Sequence, residues 1–168
     1  LIGGAGNDTL AGGDAGAAGR FENDFDKADY SAATGPIGVT MAGGSAALFS
    51  STVTGDSSVG SDTLTSIEWV IGSAFDDTYF ANLDFTSGSH FYYLLNELGF
   101  GGSGALNYFQ GGAGDDAITG NGETRIVYSD ATAGVAVDLA VGTVGGNASV
   151  GTDTVSGIGS VVGSAFAD

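Results

Sequence analysis

Cysteine is absent from these 168 residues, so the chain can build neither a disulfide framework nor a thiolate metal site. Basic residues are nearly absent as well: three Lys and Arg stand against 20 Asp and Glu, a formal net charge of −17. A field of that sign repels nucleic-acid phosphates and anionic membrane surfaces, so neither partner is expected. It also pushes a compact chain apart, and bound cations are a natural remedy. No apolar run approaches the roughly 20 residues of a membrane span, and no signal peptide is legible. The chain opens on Leu1 and starts and stops inside repeats, so we expect a fragment whose flanks carry the targeting signals. Proline occurs once, at Pro36, and histidine once, at His90. There is no HExxH, no GxSxG and no cysteine nucleophile. GFGGSG at 99–104 fits GxGxxG, but it lacks a βαβ context and reads as a glycine turn.

What the chain has in excess is glycine, 32 residues without a collagen triplet, which points to an architecture dense in tight turns. Hydrophobic residues make up 42% of the chain, with ten Phe, six Tyr and one Trp, which argues against a disordered acidic tail. Residues 3–11 read GGAGNDTLA and residues 111–119 read GGAGDDAIT. Both match GGxGxDxUx, with U a large apolar residue, at every specified position; this nonapeptide is a calcium-binding parallel β-helix repeat. Each copy supplies a turn (GGxGxD) and a short strand (xUx) with U pointing inward. Imperfect copies are legible in the same frame: GSAFDDTYF at 72–80, GSGALNYFQ at 102–110, SSVGSDTLT at 57–65 and ASVGTDTVS at 148–156. The chain closes on GSAFAD, the turn of a further copy.

A longer duplication lies over these. Residues 30–42 match 128–140 at an offset of 98, and residues 59–77 match 150–168 at an offset of 91 with 11 identities in 19 positions. The first copy therefore carries seven extra residues in between, around Ser50–Asp56. The chain is expected to be one unit over 1–168, with a first repeat unit at about 3–80, an irregular insertion at about 82–101 and a second repeat unit at about 102–168. The connecting segments alternate as half-buried strands do: Ile37, Val39 and Met41 on one face, Val135, Val137 and Leu139 on its duplicate, and Ile67, Trp69 and Ile71 as another set. In the insertion, Ser89 is placed to cap a short helix with Phe91, Leu94, Leu95 and Leu98 on its apolar face, stopped by Gly99.

The residue types suit calcium. Ca²⁺ takes six to eight oxygens, and glycines in a GGxGxD turn permit the positive φ that aims carbonyls at one point while the aspartate adds a carboxylate. One turn cannot complete the shell, so adjacent coils must share an ion; two nonapeptides make one coil, so turns about 18 residues apart are expected to stack. Asp62 to Asp77 and Asp153 to Asp168 are 15 residues apart in both copies, which predicts a shortened coil with each pair on one edge. Asp8 and Asp116 lie in complete motifs. Asp77 and Asp168 lie in turns where Phe75 and Phe166 replace a glycine, so an ordinary structural corner is the competing reading there. Asp62, Asp153 and the neutral Asn107 hold the aspartate position of weaker copies. In the frame of Asp26 the duplicate has Thr124, and Gly12-Gly13-Asp14 opens a copy with Ala17 at the aspartate position.

The motif pair, with YSAATG and VGSDTLTSIEWVIGSAFDD, resembles the repeats-in-toxin (RTX) proteins, the haemolysin-type calcium-binding repeat family, over nearly the whole chain outside 82–101. The resemblance implies an all-β fold, a right-handed parallel β-roll or β-helix solenoid, and bacterial type I secretion to the medium or cell surface. It implies folding in external calcium, with ions held by turn carbonyls and the aspartate: Gly4, Gly6 and Asp8, and Gly112, Gly114 and Asp116. The expected partners are calcium ions and neighbouring β-roll repeats of the parent chain, with a surface or carbohydrate ligand open. Two functions compete. One is a non-catalytic module with a structural or adhesion role; the other is the accessory part of a secreted enzyme such as a protease, lipase or polysaccharide epimerase or lyase.

Overall fold

Short runs rich in Thr, Val, Ile and aromatics, each bounded by glycine or aspartate turns, become strands in the computed structural model. It describes residues 1–12, 26–42, 50–82 and 107–168. In the first half lie β1 (Thr9–Ala11), β2 (Lys27–Asp29), β3 (Gly38–Met41), β4 (Ser50–Thr54), β5 (Ser61–Thr65), β6 (Trp69–Ile71) and β7 (Thr78–Ala81). The second half holds β8 (Asn107–Gln110), β9 (Ala117–Val127), β10 (Ala136–Asp138), β11 (Thr143–Gly145) and β12 (Thr152–Val162). No helix is present among the described residues, so the fold is all-β as expected. The helix expected within 82–101 lies, from residue 83 on, outside the described residues.

The strands form a mixed sheet whose core is parallel. One parallel run joins β3, β7 and the first halves of β9 and β12, through Gly38↔Thr78, Thr78↔Ala117 and Ala117↔Thr154. Another joins β2, β6, β8 and the second halves of β9 and β12, through Lys27↔Trp69, Trp69↔Tyr108, Tyr108↔Arg125 and Arg125↔Ser160. β1 pairs β5 in parallel. Thus β9 and β12 each cross from one run to the other, and they do so around Gly122 (φ 93) and Gly157 (φ 62), where the chain must turn without a side chain to obstruct it. Inward residues from both runs build one core: Leu10, Val39, Leu64, Tyr79, Ile118 and Val155 meet Ala28, Val70, Phe109 and Ile126. The Tyr79 and Phe109 rings stack at 4.6 Å between them.

Antiparallel pairs correct the expectation of a purely parallel sheet. β4 lies between β3 and β5, and β11 lies between β10 and β12, all antiparallel. These two hairpins are the same feature in the two copies. Thr40 pairs Thr52 in the first and Asp138 pairs Thr143 in the second, so the seven extra residues fall between Thr40 and Thr52, in the hairpin connection, rather than around Ser50–Asp56 as expected. The second copy closes tightly instead, with Gly142 at φ 85 donating to the Asp138 carbonyl at 2.8 Å. The expected 18-residue stacking holds only in part: Tyr108↔Arg125 spans 17 residues, whereas Thr9↔Thr63 spans 54, with β3 and β4 in between, and Thr78↔Ala117 spans 39, with residues 82–101 in between. Asp62 and Asp77 are not stacked as neighbours, because β4 and β3 stand between their strands.

Two alternating sets are corrected as well. Ile37, Val39 and Met41 are buried to a man, but in the duplicate only Val135 is, while Val137 and Leu139 are 40% and 47% exposed. The reason is position: β3 has β7 on one side and β4 on the other, whereas β10 ends the strand order with β11 as its one neighbour among the described residues. In β6 the inward residue is Val70, at 0% exposure, and Trp69 and Ile71 face outward. Alternation from Ile67 is broken just before the strand begins, where Ile67 and Glu68 are both buried.

Ser66 is the one described non-glycine residue with positive φ, and its duplicate at offset 91 is Gly157. Relief of left-handed strain outweighs the added entropy of the unfolded chain, so Ser66→Gly is expected to stabilise the protein by about 0.5–1 kcal/mol. Gly157→Ser is expected to do the reverse. Paired thermal melts check this, and a lower midpoint for Ser66→Gly would refute the reading of strain.

Candidate metal centres

The two complete motifs adopt one conformation. Gly4 and Gly6 have φ of 93° and 114°, and Gly112 and Gly114 have 95° and 117°. The aspartate of each turn folds back over its first glycine. A Cβ on Gly3 would lie 3.0 Å from Asp8 Oδ2, and one on Gly111 would collide with Asp116 Oδ2, so a side chain there would displace the carboxylate. Turns 72–77 and 163–168 fold back in the same way, Asp77 over Gly72 and Asp168 over Gly163. There, however, Ser73 and Phe75, or Ser164 and Phe166, replace the second and fourth glycines, and neither residue has positive φ.

That substitution changes what the carboxylates meet. Asp77 Oδ1 accepts from the Ser73 hydroxyl at 2.7 Å and from the Ile37 N–H at 2.8 Å, and Oδ2 accepts from the Ser73 N–H at 2.6 Å. Asp168 repeats the set with the Ser164 hydroxyl at 2.6 Å, the Val135 N–H at 2.9 Å and the Ser164 N–H at 3.0 Å. In the all-glycine turns no hydroxyl is available. Asp116 Oδ1 accepts the Asp77 N–H at 2.9 Å, and its Oδ2 is buried without a hydrogen-bond partner. Asp8 Oδ2 is buried and unpartnered in the same way. An unpaired buried carboxylate oxygen forfeits its solvation, a loss on the order of 1–3 kcal/mol or more.

Each complete turn rests on a second acidic turn. The Asp8 N–H donates to Asp62 Oδ1 at 2.9 Å, and the Asp116 N–H donates to Asp153 Oδ1 at 3.0 Å. The second oxygen of each partner takes a tyrosine hydroxyl, Tyr30 to Asp62 at 2.9 Å and Tyr128 to Asp153 at 2.7 Å. Burial and this donation hold both phenols well above their ordinary range. Asp62 Oδ2 and Asp8 Oδ2 flank one small space, 2.9 and 3.0 Å from where a Gly3 Cβ would sit. An open cleft of about 430 Å³, lined by residues 1–3 and 8–11, reaches Asp8 from solvent. An outer row runs beside the inner one, with Asp76 accepting the Asp115 N–H at 2.9 Å and Asp115 accepting the Thr152 N–H at 2.8 Å.

The structure therefore brings Asp8 to Asp62, and Asp77, Asp116 and Asp153 into one row, with Gly4, Gly6, Gly112 and Gly114 in the turns. Asp168 stands apart beside Val135. Asn107 lies elsewhere: it pairs Thr124 in register, and its carboxamide accepts the Tyr79 hydroxyl at 2.7 Å and donates to Asn121 at 3.2 Å. Sequence reasoning missed the serines and tyrosines that hold these carboxylates. The repeated Tyr at the head of the duplication at offset 98 and the repeated GSAF were the available signals.

Neither described basic side chain compensates the row: Lys27 lies 3.9 Å over the Trp69 ring and Arg125 5.3 Å from the Tyr108 ring, both on the other parallel run. Burial first, then the charges of Asp153, Asp77 and Asp76, push the Asp116 carboxyl up to about 8. Burial raises Asp153 to about 6 and moves Asp77 upward. Among the described residues no three His, Cys, Asp or Glu side chains form a metal-holding group. A cation at Asp8 or Asp116 would draw its remaining oxygens from backbone carbonyls, as a hard, many-coordinate ion such as Ca²⁺ can.

No family model matches the chain, and no curated protein or solved structure shows significant similarity to it.

The shifted carboxyls make a pH prediction for the metal-free protein. Their folded values lie above the unfolded value, so the folded state keeps protons that the unfolded state releases, and stability falls as pH rises from about 4 to about 8. Asp56 and Asp168, held low mainly by the Ser58 and Ser164 hydroxyls, act oppositely and lose their contribution as pH drops below about 4. Circular dichroism in calcium-free buffer should thus show more β structure at pH 5 than at pH 8. β structure that grows across that interval would contradict the burial of these acids.

Proposed function

We propose that this chain is a non-catalytic, calcium-binding β-roll module of a secreted bacterial protein of the RTX type, with a structural or adhesion role coupled to folding outside the cell. The observation that carries the reading is the pair of buried, unpartnered oxygens on Asp8 and Asp116. They occur in the two turns that match GGxGxD in full. The parallel runs with inward apolar residues from successive repeats support a roll, which the two hairpins interrupt. The net charge of −17 supports a folded state that needs cations.

In this reading two ions bind, one at Gly4, Gly6 and Asp8 with Asp62 adjacent, and one at Gly112, Gly114 and Asp116 with Asp153 adjacent. The protein's own residues orient the site: Tyr30 and Tyr128 hold one oxygen of each neighbouring aspartate, and that aspartate's other oxygen holds the N–H of Asp8 or Asp116. Calcium binding only to the folded state adds RT ln(1 + [L]/Kd) per site, roughly 2.7 kcal/mol at 100 Kd. A low-calcium cytosol then leaves the chain unfolded for export, and external calcium drives folding.

Titration calorimetry is expected to count two ions per chain, falling by one in Asp116→Ala and by one in Asp8→Ala. Circular dichroism should show a large gain of β structure on adding calcium. An unchanged spectrum on chelation, or an unaltered ion count in both variants, would sink the assignment.

A further inference from the structure

We propose that the second residue of each aspartate turn decides whether that turn takes a cation, with the serine hydroxyl of Ser73 and Ser164 standing in for one. This rests on the calcium reading above and adds a rule to it. The four turns that begin with glycine and fold an aspartate back over it divide cleanly. Where the second residue is glycine, at Gly4 and Gly112, one carboxylate oxygen is buried and unpartnered. Where it is serine, both oxygens are engaged, and the bonding is the same in both copies.

The hydroxyl closes the turn from inside. Ser73 Oγ donates to Asp77 at 2.7 Å and accepts the Phe75 N–H at 3.1 Å; Ser164 Oγ donates to Asp168 at 2.6 Å and accepts the Phe166 N–H at 3.0 Å. A cation would need that same face of the carboxylate. The fourth position cooperates: with Phe75 or Phe166 in place of glycine, the turn keeps negative φ and its N–H is turned to the hydroxyl.

The serine turns also have a different task. Their aspartates accept the N–H that leads into a hairpin strand, Ile37 ahead of β3 and Val135 ahead of β10. The protein thus anchors its two hairpins with turns that need no ion and reserves ion binding for the turns between parallel coils.

The test uses the full 168-residue chain. Ser73→Gly combined with Phe75→Gly turns residues 72–77 from GSAFDD into GGAGDD, the sequence of residues 111–116. Calcium calorimetry is expected to count one more ion in this variant than in the parent chain. A parent that binds no calcium overturns the calcium reading. A parent that binds two, with a folded double variant that also binds two, overturns the rule alone. Ser73→Ala guards against a double variant that does not fold. It removes the hydroxyl and is expected to lower the melting midpoint in saturating calcium without adding an ion. A midpoint equal to the parent's there would overturn the role given to the hydroxyl.

Discussion

Successive turns of this protein are tied by one kind of bond, in which a backbone N–H of one turn or strand entry donates to the aspartate carboxylate of its neighbour. Asp8 donates to Asp62, Ile37 to Asp77, Asp77 to Asp116, Asp116 to Asp153 and Val135 to Asp168. Bonds to charged acceptors contribute about 1.5–3 kcal/mol each, more than neutral ones. They also fix which turn sits on which, because a carboxylate at one position can reach only the N–H directly beside it. The parallel register of β7, β9 and β12 follows from that row as much as from the alternation of apolar residues.

The same bonds create the central difficulty of the structure. A carboxylate that must be buried to reach its neighbour's N–H needs its other oxygen satisfied, and like charges a few ångströms apart raise the cost. The chain meets this in three ways. Ser73 and Ser164 supply a hydroxyl and an N–H from within the turn. Tyr30 and Tyr128 supply a phenol from the core side to Asp62 and Asp153. Asp8 and Asp116 each keep one buried oxygen with no such partner, and these are the two positions at which we propose a cation.

Much of this was legible in the sequence, and what was not has identifiable causes. The glycine turns, the inward Leu10, Tyr79, Phe109, Ile118 and Val155, and the pairing of the two copies followed from periodicity and motif spacing, which depend on nearest neighbours along the chain. The face presented by Val70 did not, because Ile67 and Glu68 are both buried just ahead of β6, which shifts the alternation by one residue. Exposure of Val137 and Leu139 did not, because burial depends on whether another strand lies alongside, and β10 has a neighbour on one side among the described residues. The position of Asn107 away from the acidic row did not, because the motif frame says which residue ends a turn but not which edge the turn lies on.

The sequence by itself determined the local chemistry of each turn: glycines where φ must be positive, an aspartate to fold back and, in two turns, a serine four residues before the aspartate to receive it. Those are covalent facts and local steric ones, and they hold whatever the neighbours do. Only the tertiary structure decided which turns meet. It placed Asp116 between Asp77 and Asp153, inserted antiparallel hairpins where a continuous parallel coil was expected, and left one oxygen of Asp8 and one of Asp116 without a partner. Satisfaction of a buried charge is a property of its surroundings, and these surroundings are assembled from segments 37 to 54 residues apart.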